Sequence, residues 1–406
     1  YGVVGQGVGE LLTGEAQESL QDERLSVELR YCLDRSTDQD VPLRHLLVTD
    51  IAEILDDPEV DVICEAMGGV TDSYDYTKRA LAAGIHVVTA NKALVALQGQ
   101  ELLELAAQNN VRYLYEAAVG GGIPLLRNLR SSFPATRIQR VAGVLNGTSN
   151  YILTQMATAG SSFEEALQQA QALGYAESDP ADDIEGTDSA RKLAIIASLL
   201  TAAAVPAERV RRWGITHLTA EVFQLAKALK LTLRHVALLE ARGRSQQIDL
   251  MVAPMLLDPA HELAVAKGVG NAVVVETPGT GSYLFAGPGA GGLPTASALV
   301  ADVLSCFSQK VATPFIERWD QPVDAILTAD LQMPCHAVIL VAPPAWQQAT
   351  ELHGQFRELE LPELAIGSTV IETPEAGYTE EQLVQDLEIL TRGAGPAPIV
   401  LRYLKQ

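Results

Sequence analysis

The first 115 residues alternate between short apolar runs and helical patterns, and this alternation limits the possible fold more than any other feature. Each apolar run has the length and the β-branched content of a strand. Strands that alternate with helices at this spacing favour a doubly wound parallel sheet, because parallel strands need crossover connections. The sequence therefore predicts an α/β fold here, with strands at 27–33, 60–65, 85–89 and 111–115 and a helix at 73–83 that Gly84 ends.

A glycine-rich segment opens the chain and leads into a helical pattern that runs to about Leu20. It has the pattern of the end of a G-x-G-x-x-G phosphate loop, with Gly2 and Gly5 as its second and third glycines. The first glycine and the leading strand would then precede Tyr1. In such a loop the amides of a helix N-terminus bind a pyrophosphate. An ordinary glycine turn without a ligand is the alternative.

Four further residues fall where a Rossmann-type sheet binds a dinucleotide. Asp34 and Arg35 follow the strand predicted at 27–33, where an acid suits the ribose of NAD and an arginine suits the 2′-phosphate of NADP. Both residues are present, so the choice of cofactor stays open, and two ordinary loop charges are the alternative. Gly68 and Lys92 each follow a strand at its carboxyl end. An exposed loop lysine is the alternative for Lys92.

The segment from Glu116 to Pro124 combines one carboxylate with three consecutive glycines. Glycines free the backbone carbonyls to point inward, and a set of oxygen ligands suits a hard cation. A loop that only needs positive φ angles would use the same glycines.

The acidic stretch from Gly174 to Lys192 has the pattern of a functional site. Gly174 ends one helix, and Asp188 and Lys192 are four residues apart on the next, so they share a helix face. Glu177 lies in the loop between the two helices. An apolar run follows Lys192 and predicts a buried helix. A lysine at the mouth of such a helix needs a charged partner and is a candidate catalytic group.

The rest of the sequence predicts a part with a mixed sheet and a small C-terminal module. A second glycine loop, Gly287–Thr295, opens a helix at Ala296, and a capping box at Ser162 and Glu165 begins another. The last part alternates strands and helices in a β-α-β-α-β order, which favours a small ferredoxin-like module. We expect a mixed sheet from the strands at 138–145, 236–241, 247–255, 272–276 and 283–287, a linker at 328–334, and module elements at 335–341, 345–356, 365–372, 379–390 and 399–404.

Composition excludes several classes of function. The chain has 406 residues, a formal net charge of −22 and an isoelectric point near 4.7, which argue against nucleic acid or an acidic membrane as partner. It has no run of eighteen apolar residues. The four cysteines have no metal-ligand spacing and predict reduced thiols in a cytoplasmic protein.

Taken together, the motifs resemble those of homoserine dehydrogenases, in order and over roughly residues 1 to 320. The resemblance implies NAD(P)-dependent interconversion of L-homoserine and L-aspartate 4-semialdehyde, in threonine, methionine and isoleucine biosynthesis. The segments that carry it are the opening glycine loop, Thr89–Lys92, Glu116–Pro124, Asn146–Asn150, Gly174–Glu177, Gly186–Lys192 and Gly287–Ala301.

The resemblance also implies residue roles. Lys192 is the expected acid–base residue, Lys92 faces nicotinamide and substrate, and Asp188 fixes the catalytic lysine. The residues expected to bind the substrate are Glu177, Asp182, Asp183 and Asp188. Those expected to bind NADP, which the family slightly favours, or NAD are Tyr1, Gly2, Val3, Val4, Gly5, Arg35, Gly68, Lys92, Gly174 and Gly291. A monovalent cation, sodium, is expected at Glu116, Val119, Gly121 and Ile123.

The expected architecture has three parts. Residues 1–115 form a Rossmann-type dinucleotide-binding domain, to which a helix at 296–320 returns, and residues 116–327 form an α+β catalytic and dimerisation domain with a mixed sheet. Residues 333–406 resemble an ACT-type regulatory domain, although Val341–Trp346 lacks the usual Asp-x-Pro-Gly turn. We expect a homodimer or homotetramer, with an amino-acid effector at the C-terminal part. A catalytically inactive sensor of cofactor and amino acid is the alternative function.

Overall fold

A computed structural model describes the chain at residues 1–14, 27–37, 41–133, 136–242, 247–307, 317–327, 333, 335–359, 361, 368–374, 378–391 and 396–404. The chain divides into two compact units. Unit 1 comprises 1–135, 194–206 and 287–323, and unit 2 comprises 136–193, 207–286 and 324–406.

The described strands are numbered in chain order. They are β1 (Cys32–Leu33), β2 (Leu47–Val48), β3 (Val62–Glu65), β4 (His86–Thr89), β5 (Tyr113–Leu114), β6 (Arg140–Val144), β7 (Arg211–Arg212), β8 (Thr232–Ala241), β9 (Ile248–Leu257), β10 (Gly270–Thr277), β11 (Gly281–Pro288), β12 (Ala337–Val341), β13 (Arg357–Glu358), β14 (Thr369–Glu372) and β15 (Ile399–Tyr403).

The described α-helices are numbered in the same way, and none of them is long and apolar enough to cross a membrane. They are α1 (Val3–Thr13), α2 (Ile51–Leu55), α3 (Thr71–Ala82), α4 (Lys92–Gln108), α5 (Leu126–Ser131), α6 (Gly147–Thr158), α7 (Phe163–Ala172), α8 (Ala181–Ile184), α9 (Thr187–Thr201), α10 (Ala220–Ala228), α11 (Gly292–Phe307), α12 (Val323–Ile326), α13 (Pro343–Gln348) and α14 (Glu380–Thr391).

Unit 1 contains the parallel strands that the alternating pattern predicts. β3, β4 and β5 form one parallel sheet, and β1 pairs in parallel with β2. The apolar sides of α1 and α11 share a core with Val88 of β4 and Ala117, since Val8, Leu12 and Leu299 are all buried there. The helices therefore lie on the sheet as in a doubly wound α/β domain.

Unit 2 is built on a mixed sheet in which β11, β10, β6, β8 and β9 follow one another. β6 pairs antiparallel with β8 and β10, and β8 pairs antiparallel with β9 along ten residues of each strand. All ten residues of β9 are buried, so this strand lies in the interior of the sheet. The mixed sheet expected for the catalytic part is present.

The C-terminal strands extend this same sheet. β15 pairs in parallel with β9, and the order continues β15-β12-β14-β13. Read along the chain, the segment has a β-α-β-β-α-β order, which is that of a ferredoxin-like fold. The sequence pattern had missed β13, which is only two residues long.

Several predicted bounds differ from the structure. The strand expected at 27–33 is reduced to β1, and the helix expected at 345–356 ends at Gln348 and is followed by a 3₁₀ turn at Thr350–Leu352. Tertiary pairing sets strand length, and β1 has only the two residues of β2 as described partner. Of the linker expected at 328–334, only Met333 lies within the described residues, and it is buried.

Candidate active site

Two helix N-termini lie side by side in unit 1. α1 begins after Gly2, and α11 begins after Gly291, which has a φ of 120°. A Cβ on Gly292 would lie 2.9 Å from Cγ1 of Val3, and one on Gly7 would lie 3.0 Å from the carbonyl oxygen of Gly292. Only glycines permit this approach. The N-terminus of α1 has no side-chain cap and Val3 is 75% exposed, so bare amides are available to an anion.

The predicted cofactor residues group around this point. Tyr1, Gly2, Val3, Val4 and Gly5 form the N-terminal turn of α1. Asp34 lies beside them, since the backbone nitrogen of Tyr1 contacts its carboxylate, and the neighbouring Arg35 is exposed.

A buried hydrogen-bond network holds the turn that contains Gly68. Nδ2 of Asn91 donates to the carbonyl oxygen of Gly69 (2.7 Å), and Oδ1 of Asn91 caps α4 at Leu94 (3.0 Å). Glu65 accepts from the backbone of Met67 and from the hydroxyl of Thr89. Burial raises the pKa of Glu65 above its usual value. Lys92 is the first residue of α4, so this network sets the position of Lys92 relative to the glycine turn.

A cavity of about 350 Å³ lies between the edges of β1 and β3. Its lining is largely apolar and includes residues of α1, β1, β3 and α11, among them Val8, Cys32, Val62 and Phe307. The sheet of unit 1 is interrupted at this cavity, because β1 and β3 are not paired with each other among the described strands.

The Glu116 loop brings the four predicted cation ligands into one turn. Both carboxylate oxygens of Glu116 accept backbone N–H groups at the start of α5, from Leu126 (2.9 Å) and Arg127 (2.6 Å). Asp302 accepts the backbone N–H of Glu116 and pairs with the guanidinium of Arg127. Burial raises the pKa of Glu116 to about 7, and the charge of Asp302 acts in the same direction.

Backbone geometry explains the glycines of this loop. Gly121 has a φ of 56°, and a Cβ there would lie 2.7 Å from the backbone of Gly289. Val119 and Ile123 are buried, and Ile123 donates its N–H to the carbonyl oxygen of Gly120. Among the described residues no group of three or more His, Cys, Asp or Glu side chains is arranged to hold a metal ion. Any cation at this loop would therefore depend on backbone carbonyls.

In unit 2, Lys192 is the centre of a compact polar cluster. It is 9% exposed, and its Nζ contacts Oδ2 of Asp188 (2.8 Å) and the carbonyl oxygen of Leu145 (2.7 Å). The i,i+4 spacing on α9 produces the first contact, as predicted. Asn146 donates through Nδ2 to Oδ1 of Asp183 (2.6 Å) and to Oδ2 of Asp188 (2.9 Å).

The cluster leaves Lys192 chemically competent. An ammonium group has three N–H donors, and two acceptors for Lys192 are found among the residues that the structure describes. The third N–H can face a substrate oxygen. The buried ammonium group of Lys192 would stabilise negative charge that develops on that oxygen. Lys192 could also exchange a proton with the oxygen.

Not every predicted residue joins this cluster. Glu177 is exposed and makes no ion pair with Lys192 among the described residues, and Asp182 pairs instead with Arg191. Gly174 has a φ of 73° and ends α7 without a close neighbour at its Cβ position. Glu177 therefore lies outside the hydrogen-bonded cluster that the described residues form around Lys192, and its role in substrate binding stays a prediction.

Two participants were missed at the level of sequence. Asn146 was named only within one of the segments that carry the resemblance, with no role of its own, and Asp302 was not singled out. For Asn146, the available signal was its position directly after the strand predicted at 138–145, which precedes the acidic stretch. Asp302 lies mid-helix on α11 and had no such signal.

Comparisons with known proteins agree with this geometry. The family model described as "Homoserine dehydrogenase, NAD binding domain" matches residues 1–116, and the one described as "Homoserine dehydrogenase" matches residues 124–304. A homoserine dehydrogenase from Bacillus subtilis is 38% identical over 308 residues, which are 75% of this chain and 70% of the relative.

Solved structures agree as well. A homoserine dehydrogenase from Thiobacillus denitrificans superposes with a TM-score of 0.87 at 30% identity, over 99% of this chain and 96% of the other. A hyperthermophilic archaeal homoserine dehydrogenase in complex with NADPH has a TM-score of 0.57 at 25% identity, over 75% of this chain and 94% of the other.

The resemblance seen in the motifs is thus confirmed by family models, by curated relatives and by solved structures. The shared fold comprises the NAD-binding part and the catalytic part with its mixed sheet. The chain belongs to the homoserine dehydrogenase family, a group of NAD(P)-dependent oxidoreductases.

Proposed function

We propose that Lys192 is the acid–base residue for the interconversion of L-homoserine and L-aspartate 4-semialdehyde. The observation that carries this role is the buried Nζ, held by Asp188 and the carbonyl oxygen of Leu145 with one N–H remaining. In the oxidising direction Lys192 would act as the neutral amine and accept the hydroxyl proton of homoserine, while a hydride would pass from the carbon that bears the hydroxyl to the oxidised nicotinamide. In the reducing direction Lys192 returns the proton to the aldehyde oxygen.

Substrate recognition follows from the charges near Lys192. Homoserine has an α-ammonium group, and the carboxylates of Asp183 and Asp188 supply acceptors for it. Glu177 and Asp182 are exposed on the same acidic segment and extend this negative surface. For Lys92, at the start of α4, the family resemblance implies a role in facing nicotinamide and substrate.

The cofactor proposed for unit 1 is NADP or NAD, which supplies the hydride acceptor or donor when bound. The adjacent N-termini of α1 and α11 support a pyrophosphate at this point, because their amides and dipoles favour an anion. Gly68 and Gly291 lie in turns open enough for backbone approach. The archaeal relative in complex with NADPH favours NADP, for which Arg35 would pair with the 2′-phosphate.

The cavity between β1 and β3 supports the prediction of a further strand in the sheet of unit 1. An apolar strand placed there would pair with two open edges and complete a parallel sheet.

The loop from Glu116 to Ile123 is proposed to bind a monovalent cation, sodium. One buried carboxylate with surrounding carbonyls provides a single negative charge, which matches a monovalent ion better than a divalent one. Burial and the charge of Asp302 raise the pKa of Glu116 to about 7, and a bound cation would lower the pKa again by stabilising the charged carboxylate.

For the C-terminal strands we propose an ACT-like regulatory role with an amino-acid effector, on the basis of their ferredoxin-like strand order. A homodimer or homotetramer and a cytoplasmic location remain predictions from the family resemblance. A catalytically inactive sensor of the same fold is the second candidate function, which only an activity assay separates from the first.

The test is turnover of homoserine followed at the reduced-nicotinamide absorbance band, with NAD and NADP side by side. We expect oxidation of homoserine, and the better cofactor decides between the roles of Asp34 and Arg35. Lys192→Ala should lower kcat by about 10²- to 10⁴-fold while cofactor binding persists. Lys227→Ala, which removes an exposed lysine of α10, is the matched control and should leave kcat unchanged.

Two outcomes would contradict these assignments. Near wild-type turnover of Lys192→Ala would show that another group transfers the proton. Tight binding of cofactor and homoserine without any turnover in the wild-type protein would favour the sensor.

A further inference from the structure

Asn146 lies at the point where the acidic segment, the catalytic lysine and strand β6 meet. It lies two residues after the end of β6 and is the N-cap of α6, with Oδ1 accepting the N–H of Ser149 (2.8 Å). The residue before it, Leu145, supplies the carbonyl that binds Nζ of Lys192. One two-residue turn therefore provides both an acceptor for the lysine and the amide that bonds to its carboxylate partner.

The side chain of Asn146 uses both of its N–H donors. Its amide has two N–H donors, and these bond to Asp183 at 2.6 Å and to Asp188 at 2.9 Å. Asn146 is 5% exposed and Asp188 is 2% exposed, so water contributes little to the bond between them, whereas Asp183 is half-buried. The oxygen that accepts from Asn146, Oδ2 of Asp188, is also the one that pairs with Lys192.

The electrostatic balance of the cluster depends on this amide. Asp183 and Asp188 contribute two negative charges against the single positive charge of Lys192. Two carboxylates that accept hydrogen bonds from one amide nitrogen are held close together, and without the donors they would repel each other. An aspartate in place of Asn146 would have no N–H to offer and would add a third negative charge.

We propose that Asn146 is a positioning residue for the proton transfer by Lys192, through its bond to Asp188. This inference rests on the proposed role of Lys192. Nζ is aimed by two acceptors, the carbonyl of Leu145 and Oδ2 of Asp188, and Asn146 fixes the second of these. If Asp188 turns away, the third N–H of Lys192 no longer points to one place, and a misplacement of about 1 Å costs on the order of 10²-fold in rate.

Asn146→Asp is the decisive variant, because it separates the capping of α6 from the hydrogen bonds that Asn146 donates to Asp183 and Asp188. Aspartate is as good an N-cap as asparagine, so α6 keeps its cap at Ser149. The donors to Asp183 and Asp188 are lost. We expect kcat for homoserine oxidation to fall by about 10²-fold, with the dissociation constant of NADPH close to that of the wild-type protein. The melting temperature should fall, because a third carboxylate is buried beside Asp183 and Asp188.

Two further variants complete the test. Asn109→Asp adds the same charge at an exposed helix end in unit 1 and should leave kcat unchanged. Asn146→Ser keeps a cap acceptor and offers one short donor instead of two. It should also lower kcat by at least about tenfold, and it decides the question if Asn146→Asp does not fold.

The result that overturns the proposal is a kcat within about threefold of wild type for a folded Asn146→Asp, or for Asn146→Ser where only that variant folds. A parallel loss of kcat and of NADPH binding would also overturn it, because a general structural defect lowers both. Lys192→Ala, assayed in parallel, separates the two proposals. If Lys192→Ala is inactive and the Asn146 variants are not, positioning by Asn146 fails while the role of Lys192 stands.

Discussion

Two buried carboxylates, Glu116 and Asp188, lie in opposite electrostatic surroundings. Asp188 forms an ion pair with Lys192 and accepts a hydrogen bond from Asn146, so the ammonium group of Lys192 compensates the negative charge of Asp188. Among the described residues, Glu116 accepts hydrogen bonds from two backbone amides and has Asp302 nearby, and burial raises the pKa of Glu116 to about 7. At the scale of single residues, the first carboxylate holds a cationic side chain, and the second is the one for which a cation from solution is proposed.

The raised pKa of Glu116 makes a prediction about stability and pH. The folded protein holds this proton more tightly than the unfolded chain, whose ordinary value is 4.5. Stability from this group is therefore lost as pH rises from about 4.5, and the penalty is fully present above about pH 7. Relative to Glu116→Gln, the wild-type protein should lose roughly 3 kcal/mol of unfolding free energy between pH 5 and pH 8 in urea titrations.

A cation should offset that loss. Sodium chloride, compared with tetramethylammonium chloride at equal ionic strength, should stabilise the wild-type protein at pH 8 and have little effect at pH 5. Glu208→Gln, which removes an exposed carboxylate, is the control. Parallel pH curves for the wild-type protein and Glu116→Gln would contradict the assigned pKa, and equal effects of both salts would contradict the cation site.

At the scale of elements, glycines decide how closely segments approach. Gly121 and Gly160 both have positive φ angles, 56° and 69°. A Cβ on Gly160 would meet nothing within 4 Å, whereas one on Gly121 would lie 2.7 Å from the backbone of Gly289. The pair therefore separates the cost of the backbone conformation from the cost of the close approach.

We predict that Gly121→Ala destabilises the protein more than Gly160→Ala. Both variants carry the left-handed backbone penalty of about 1–2 kcal/mol. Gly121→Ala adds a clash with a backbone that cannot move aside cheaply, about 1–3 kcal/mol more. Urea unfolding measures both changes. Equal losses would mean that the Glu116 loop and the turn at Gly289 are loosely packed.

The accuracy of sequence-based prediction varied between elements for physical reasons. The capping box at Ser162 and Glu165 is present, because both of its hydrogen bonds are local. Helix α4 was not singled out from sequence. Gly99 in the interior of α4 is unfavourable for a helix. The structure explains this glycine, because a Cβ on residue 99 would lie 2.5 Å from the ring of Trp319.

At the scale of the whole chain, the C-terminal strands belong to unit 2 through more than one contact. β15 pairs with β9, and Arg402 of β15 forms a buried two-point ion pair with Glu380 (2.7 and 3.0 Å). The guanidinium of Arg402 also lies 3.9 Å from the ring centroid of Trp213. The ferredoxin-like segment is therefore joined to the catalytic sheet by a strand pair and a cation–π contact, and the ion pair, which lies within the segment, holds Arg402 in place for the latter.

These contacts predict joint unfolding of the segment and the catalytic sheet. Arg402→Met leaves Glu380 buried without its partner and should cost about 3–5 kcal/mol, much of which the double variant with Glu380→Leu should recover. Hydrogen exchange should show β9 and β12 opening together in the wild-type protein and in Arg402→Met. Earlier opening of β12 alone would show that the C-terminal segment is an independent module.

The sequence by itself determined those features that depend on neighbours along the chain. The strand and helix alternation of unit 1, the glycines at two helix starts and the Asp188–Lys192 pair were all predicted, because each arises within a few residues. The family resemblance followed from the same local motifs.

The tertiary structure decided the contacts between distant segments. It placed Asn146 between Asp183 and Asp188, brought Gly292 against Val3, and paired β15 with β9. Packing of the whole core selects such contacts, and no local pattern records them, because many pairings of the same elements satisfy the same local preferences.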